Sequence, residues 1–152
     1  MVDTSELKQF EKEIDTLVDS ALDRNLKQGA HIAGAELQSE ARRMVPVDTG
    51  ALRISIENSA LPSGALGVEV GPTQPYGKDI EFGRPPGTFV SAAALSKWAA
   101  KRGLNPYVIS WSIHKKGSPA QPYLFPAVEA KEDSIIKILV QSVANAFIEI
   151  FK

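Results

Sequence analysis

Side chains able to do acid–base, nucleophilic or metal chemistry are few in this chain, and their spacing suits none of the three. The histidines are His31 and His114, and neither has a second histidine or a carboxylate at the i+4 spacing that builds a helical metal site. There is no cysteine, which removes disulfides, thiolate metal sites and a cysteine nucleophile together and fits a reducing compartment. Asp48-Thr49 sets a carboxylate beside a hydroxyl, but an activated nucleophile needs a base and a group that orients it, and no such partner follows from the sequence. Gly64, Gly67 and Gly71 follow no strand-to-helix switch, so neither the dinucleotide fingerprint nor the phosphate loop is present. His114-Lys115-Lys116 reads as the end of a helix, where cations meet the negative pole of the dipole, with a nucleic-acid contact as the sharper alternative. Arg42 and Arg43 read as a solvated helix face, and Trp98 and Trp111 as large apolar anchors. No catalytic residue, cofactor or metal is expected. A small hydrolase using Asp48 and His114 is the competing reading, and it would lose turnover on His114→Ala or Asp48→Asn.

The elements that would position these groups turn on one corner, Val45-Pro46-Val47-Asp48-Thr49-Gly50. Pro46 lacks a backbone donor and disfavours helix at Val45, so it ends whatever helix precedes it. Asp48 and Thr49 can bond nearby backbone amides, and Gly50 accepts positive φ. From Leu52 the pattern alternates, with Leu52, Ile54 and Ile56 on one face and Arg53, Ser55 and Glu57 on the other, which predicts a half-buried strand.

Before the corner, no proline interrupts the chain from about Thr4 to Met44. Leu7, Phe10, Ile14, Leu17, Val18, Ala21, Leu22 and Leu26 recur at threes and fours, one helical stripe that Thr4 or Ser5 can cap. Ala30, Ala33, Leu37, Ala41 and Met44 continue it with smaller side chains. If continuous, about forty residues at 1.5 Å rise make a rod of roughly 60 Å, longer than a small domain needs, so part of it is expected to pack on another subunit. Gly29 and Gly34 each cost about 1 kcal/mol against Ala, and a kink or break is expected there.

After the corner a hairpin is expected, with Leu52–Asn58 turning at Pro62-Ser63-Gly64 into Leu66–Val70, and a third extended piece over Tyr76–Phe82. Gly83-Arg84-Pro85-Pro86-Gly87 reads as an exposed loop. Ser91 caps a short helix that stops at Gly103, and Asn105-Pro106 opens a second that stops at Gly117. Pro119–Pro126 is an irregular aromatic bridge into a closing helix from Val128 to Ile150, whose wide apolar stripe ends in Phe147, Ile150 and Phe151. The expected fold is one α+β domain over residues 1–152: a long N-terminal helix, a small antiparallel sheet of three to four strands, a short helical insertion, and a C-terminal helix packed on the sheet. At 152 residues, 43% apolar, 23% charged and net charge −1, nothing argues for a broad nucleic-acid or membrane footprint. The acidic, polar N-terminus lacks the pattern of a signal peptide, and no apolar run approaches the roughly 18 to 20 residues that span a bilayer, so a soluble protein is expected.

Four stretches in order resemble one family. Val45-Pro46-Val47-Asp48-Thr49-Gly50-Ala51-Leu52-Arg53-Ile54-Ser55-Ile56, after a long helix, is similar to the P-V-D-T-G-x-L-R-x-S-I signature of the tail-completion or neck proteins of long-tailed phages, the gene-product-ten-like family of lambdoid phages and prophages. Tyr76 with Glu81-Phe82-Gly83 resembles its Y-x-x-x-x-E-F-G strand, Leu95–Leu104 a frequent L-x-x-W-A-x-x-x-G-L insertion, and Gln121–Ala127 its Q-P-F-L-R-P-A bridge. The family often has Phe where Tyr123 stands and Arg where Phe125 stands. The resemblance implies a structural motif at Pro46, Asp48, Thr49, Gly50, Leu52, Arg53, Glu81, Gly83, Pro122 and Pro126. It also implies a non-enzymatic virion protein, made in the host cytoplasm and placed where the tail meets the head, in a ring of six around the DNA path. Its partners would be copies of itself, a tail terminator or tail tube protein, and a head-completion or connector protein, with DNA only as passing cargo and no membrane. The ring contacts expected are Leu7, Phe10, Ile14, Leu17, Phe147 and Ile150, with the free protein either preassembled or monomeric. Another tail-assembly role, such as tail terminator or minor tail component, is the neighbouring alternative.

Overall fold

The structure is a computed structural model that describes residues 4–152. Helix α1 (Thr4–Met44) is followed by a single helical turn α2 (Ala51–Ile54), strand β1 (Ile56–Ala60), a 3-10 turn at Pro62–Gly64 and strand β2 (Val68–Pro72). Four helices complete the chain: α3 (Gly77–Phe82), α4 (Ala92–Lys101), α5 (Pro106–Lys116) and α6 (Leu124–Ile150). It is an α+β protein with one two-stranded sheet, order β1-β2.

Helix α1 ends just before Val45, where Pro46 predicts, and carries Glu6 in its first turn, where the dipole favours an acid. The Thr4 side chain, one of the two expected caps, lies outside the described residues. The helix runs unbroken through both glycines. They stay because other elements come close: a Cβ at Gly34 would lie 2.5 Å from Asn58 Oδ1 and 2.7 Å from Val68 Cγ2, and one at Gly29 would run into Ser142. Close approach offsets the propensity loss that suggests a break.

Three expectations from the pattern are corrected. The strand predicted from Leu52 begins at Ile56, because Gly50 at φ 81° starts a helical turn in which Ile54 N–H bonds Gly50 O and Ser55 N–H bonds Ala51 O. Four alternating residues also satisfy one turn of helix, which leaves Leu52 buried and Ile54 exposed. The third extended piece expected over Tyr76–Phe82 is helix α3, which starts at Gly77 after Tyr76, so among the described residues the sheet has two strands and not three to four. Within the Gly83–Gly87 loop, Arg84 and Ser118 exchange both backbone hydrogen bonds at 3.0 Å. The closing helix starts earlier than Val128, at Leu124.

The short helices follow their punctuation. Ser91 Oγ accepts from Ala94 N–H, Asn105 Oδ1 accepts from Tyr107 N–H, Pro106 opens α5, and Gly103 and Gly117 follow the helix ends at φ 64° and 74°. These are N-caps satisfying orphan donors and left-handed exits that only glycine adopts without strain.

The chain forms two compact units. The first is Met1–Glu40, Asn58–Val70 and Val128–Lys152. In it α1 and α6 lie antiparallel: Arg24 and Asn25 bond Glu149, Gly29 faces Ser142, and Glu36 accepts from Ser134 Oγ at 2.7 Å. Among the described residues, the hydrophobic side chains it buries are alanines, Ala21, Ala30, Ala33 and Ala146, while Leu22, Leu26, Ile135, Ile138 and Leu139 are half-buried. Asn58 Nδ2 donates to His31 O at 3.1 Å and ties the hairpin to α1. The second unit is Ala41–Glu57 and Gly71–Ala127, and it holds the two largest fully buried side chains, Tyr123 and Ile56. There Arg42, expected on a solvated face, is half-buried and donates to Ile56 O at 2.7 Å, which pins the start of β1.

Candidate assembly site

The corner and the bridge are the two polar clusters of the second unit. At the corner, Gly50 supplies the positive φ expected of it, and Thr49 Oγ1 accepts weakly from Ala51 N–H at 3.4 Å. Asp48 is drawn instead to the end of α4, with Arg102 Nη1 at 3.1 Å and Lys101 Nζ at 3.8 Å. Arg102 also stacks on Trp98, its guanidinium carbon 4.3 Å from the ring centroid. Pro46 and Arg53 are exposed. Asp48 is thus an ion-pair partner that ties the α4 insertion to the corner, and His114 is no neighbour in any contact it makes.

At the bridge, Glu81 is 5% exposed and its carboxylate collects three backbone donors from residues more than forty positions away. Tyr123 N–H at 2.8 Å and Leu124 N–H at 2.9 Å meet Oε2, and Phe125 N–H at 3.0 Å meets Oε1. The reason lies in the start of α6. A helix beginning at Leu124 leaves the donors of residues 123 to 126 without helical partners. Pro126 has no N–H, and Glu81 accepts the other three. Tyr123 sits where a Ser, Thr, Asp or Asn would ordinarily cap, and the cap comes from α3 instead. A buried carboxylate at the positive pole of a long helix is stabilised by both its hydrogen bonds and the dipole.

The surroundings hold this clamp closed. Gln121 N–H bonds Ile80 O at 2.8 Å, and Gly83, at φ 72° and ψ −176°, passes so near that a Cβ would lie 2.6 Å from Ser118 O. Arg84 pairs with Asp79 at 2.6 Å. Tyr123 is 1% exposed, and burial, followed by the charge of Glu81, pushes its phenol up to about 12. Phe125 meets Phe82 edge-on with centroids 5.9 Å apart. Of the expected motif, Glu81, Gly83, Pro122 and Pro126 therefore converge on one clamp, while Pro46, Asp48, Thr49, Gly50, Leu52 and Arg53 form a separate corner. Among the described residues no group of histidines and acids could hold a metal ion.

What the chain offers to other molecules is uncovered apolar surface. On α1, Leu7, Phe10, Ile14 and Leu17 are 41 to 65% exposed. On α6, Ile136, Val140 and Phe147 share one helical stripe and are all exposed, nearly opposite the seam residues Ile135, Ile138 and Ser142; Phe151, just past the helix, is also exposed, whereas Ile150 is half-buried.

A second surface has its signal in the sequence: from Phe82 to Val128 there is no Asp or Glu, while Arg84, Lys97, Lys101, Arg102, Lys115 and Lys116 are basic. Tyr107, Val108 and Trp111 on α5 are 60 to 74% exposed in this acid-free region, and Lys115 Nζ sits 3.7 Å from the Trp111 ring centroid. No helix of the described residues is long and apolar enough to cross a membrane.

No curated protein and no solved structure matches the chain. Residues 8–83 match the family described as "Bacteriophage HK97-gp10, putative tail-component", a stretch that runs from the uncovered stripe of α1 through the corner and the hairpin to Glu81 and Gly83. With half of its length inside that match, and with the corner and the Glu81 segment built as structural joints, the chain belongs to the HK97-gp10-like family of phage tail components.

Proposed function

We propose that this protein acts at the head–tail junction of a long-tailed phage or prophage, completing the tail and joining it to the head as a ring around the DNA path. The observation that carries this reading is the uncovered apolar surface on α1 and α6 in a member of a tail-component family. Leu7, Phe10, Ile14, Leu17, Phe147 and the half-buried Ile150 are its subunit contacts, and a ring of such contacts covers surface that a lone chain leaves wet. The neighbours on either side are a tail terminator or tube protein and a head-completion or connector protein. The whole chain works as one virion module with no catalytic role, and DNA passes through it as cargo.

The test is removal of the gene followed by electron microscopy of the lysate. Filled heads and full-length tails that fail to join, restored by the gene in trans, are the expected result. Tails of uncontrolled length would move the protein to the tail-terminator role, and joined, infectious particles would end the proposal.

A further inference from the structure

Two surfaces of opposite character are left uncovered, and they match. On the first turns of α1 the large apolar residues are Leu7, Phe10, Ile14 and Leu17, and Thr16 Oγ1 donates to Lys12 O at 2.7 Å on the same helix. Side chains three or four apart share a helix face. Glu6 and Glu13 are so spaced from Phe10, and Glu11 from both Leu7 and Ile14, so acids border the stripe on each side. Lys8 and Lys12 stand three or four from none of these apolar residues and fall on the back of the helix. The stripe is therefore apolar at its centre and acidic at its edges.

Helix α5 is the complement. Tyr107, Trp111 and Lys115 follow at i, i+4 and i+8, Val108 and His114 flank them three residues from Trp111, and no acid occurs anywhere in the surrounding segment. Its centre is exposed and apolar, and its edge is basic.

Resting on the assembly reading above, we propose that the acidic stripe of α1 in one copy docks on the basic aromatic face of α5 in a second copy. Charge decides the symmetry. Two α1 stripes facing each other set acid on acid, and two α5 faces set lysine on lysine, so an isologous dimer through either is disfavoured. The complementary pairing is head-to-tail, the kind of contact that closes into a ring or runs on as a filament. DNA fits the α5 face less well. Arg84, Lys101 and Arg102 already pair with Asp79 and Asp48, and the face is centred on Tyr107, Val108 and Trp111, which a row of phosphates leaves uncovered.

The experiment is charge reversal in the full chain, read by light scattering and sedimentation over a concentration series at low salt. Wild type is expected to associate. Lys115→Glu with Lys116→Glu, or Glu11→Lys with Glu13→Lys, should each weaken association at least about tenfold, with unchanged far-ultraviolet circular dichroism because all four positions are exposed. Mixing the two reversed proteins, or placing all four changes in one chain, should restore it. A wild type that stays monomeric to millimolar concentration, reversals without effect, or a mixture that fails to recover would overturn the contact. A monomer whose lysine pair is instead needed to bind a duplex oligonucleotide would assign the face to nucleic acid. Failure here leaves the lysate experiment free to place the protein at the junction, and failure there leaves this contact standing on its own measurement.

Discussion

Replacing Glu81 is the sharpest probe of how this chain is held together. Its carboxylate accepts from Tyr123, Leu124 and Phe125 N–H at 2.8 to 3.0 Å while 5% exposed. In Glu81→Gln the shape survives, but one carbonyl oxygen must serve three donors, and the new NH₂ faces at least one N–H that it cannot accept. Losing one charge-assisted bond of about 1.5 to 3 kcal/mol and the dipole contribution of about 0.3 to 1 gives an expected loss of about 3 kcal/mol. Glu81→Ala orphans all three donors at about 1 to 3 kcal/mol each, reduced where water reaches the exposed edge beside Phe125, so about 4 to 5 kcal/mol is expected. For a chain of this size about 2 to 4 °C of melting temperature goes with each kcal/mol, so Glu81→Gln should melt roughly 6 to 12 °C lower. Urea unfolding followed by far-ultraviolet circular dichroism measures both variants, and an unchanged m-value licenses the comparison. Losses below about 0.5 kcal/mol, or equal losses for Gln and Ala, would refute the clamp as the cap of α6.

Three further outcomes follow from the same geometry. The Tyr123 phenol has its raised value only in the folded state, so the unfolded phenol ionises first; stability is full below about pH 10 and falls by about 2 to 3 kcal/mol as pH rises to about 12, a fall that Tyr123→Phe should reduce in alkaline denaturation curves. Gly83→Ala places a Cβ 2.6 Å from Ser118 O in a backbone region open essentially to glycine and should lower stability by about 3 kcal/mol or more, while Gly87→Ala, at φ 93° with nothing within 4 Å, should cost about 1; equal midpoints in urea would count against the close passage. Gly29→Ala should gain about 1 kcal/mol from helix propensity alone, yet its Cβ runs into Ser142, so a net loss of about 1 to 3 kcal/mol is expected, partly recovered by Ser142→Gly; a stabilised Gly29→Ala would show that α1 and α6 separate freely there.

Local signals were legible wherever the cause is local. Pro46, Ser91, Asn105, Pro106, Gly103 and Gly117 each act within a turn of their own position, and the helix ends they mark are where they were expected. Residues 52 to 56 failed because alternation over so short a span fits one helical turn as well as a strand, and Gly50 decides between them by starting the turn. Tyr76–Phe82 failed for a related reason: the segment is six helical residues long, too short for its periodicity to speak. Asp48 read as a turn residue because its partners, Lys101 and Arg102, come from an insertion more than fifty positions on. The acid-free stretch with Tyr107 and Trp111 needed only a count of acids along the chain.

By itself the sequence determined the long first helix, the caps and exits of the short helices, the absence of cysteine chemistry and the family motifs, since each depends on residue type and near neighbours. Only the tertiary structure decided why Glu81 matters, why Gly29 and Gly34 persist in a helix, and which apolar residues stay uncovered. A buried carboxylate finds its donors across more than forty residues, a glycine is required by the atoms of another element, and a stripe is exposed or covered according to what packs beside it. None of these is a property of the local chain; each is set by distances that exist only after folding.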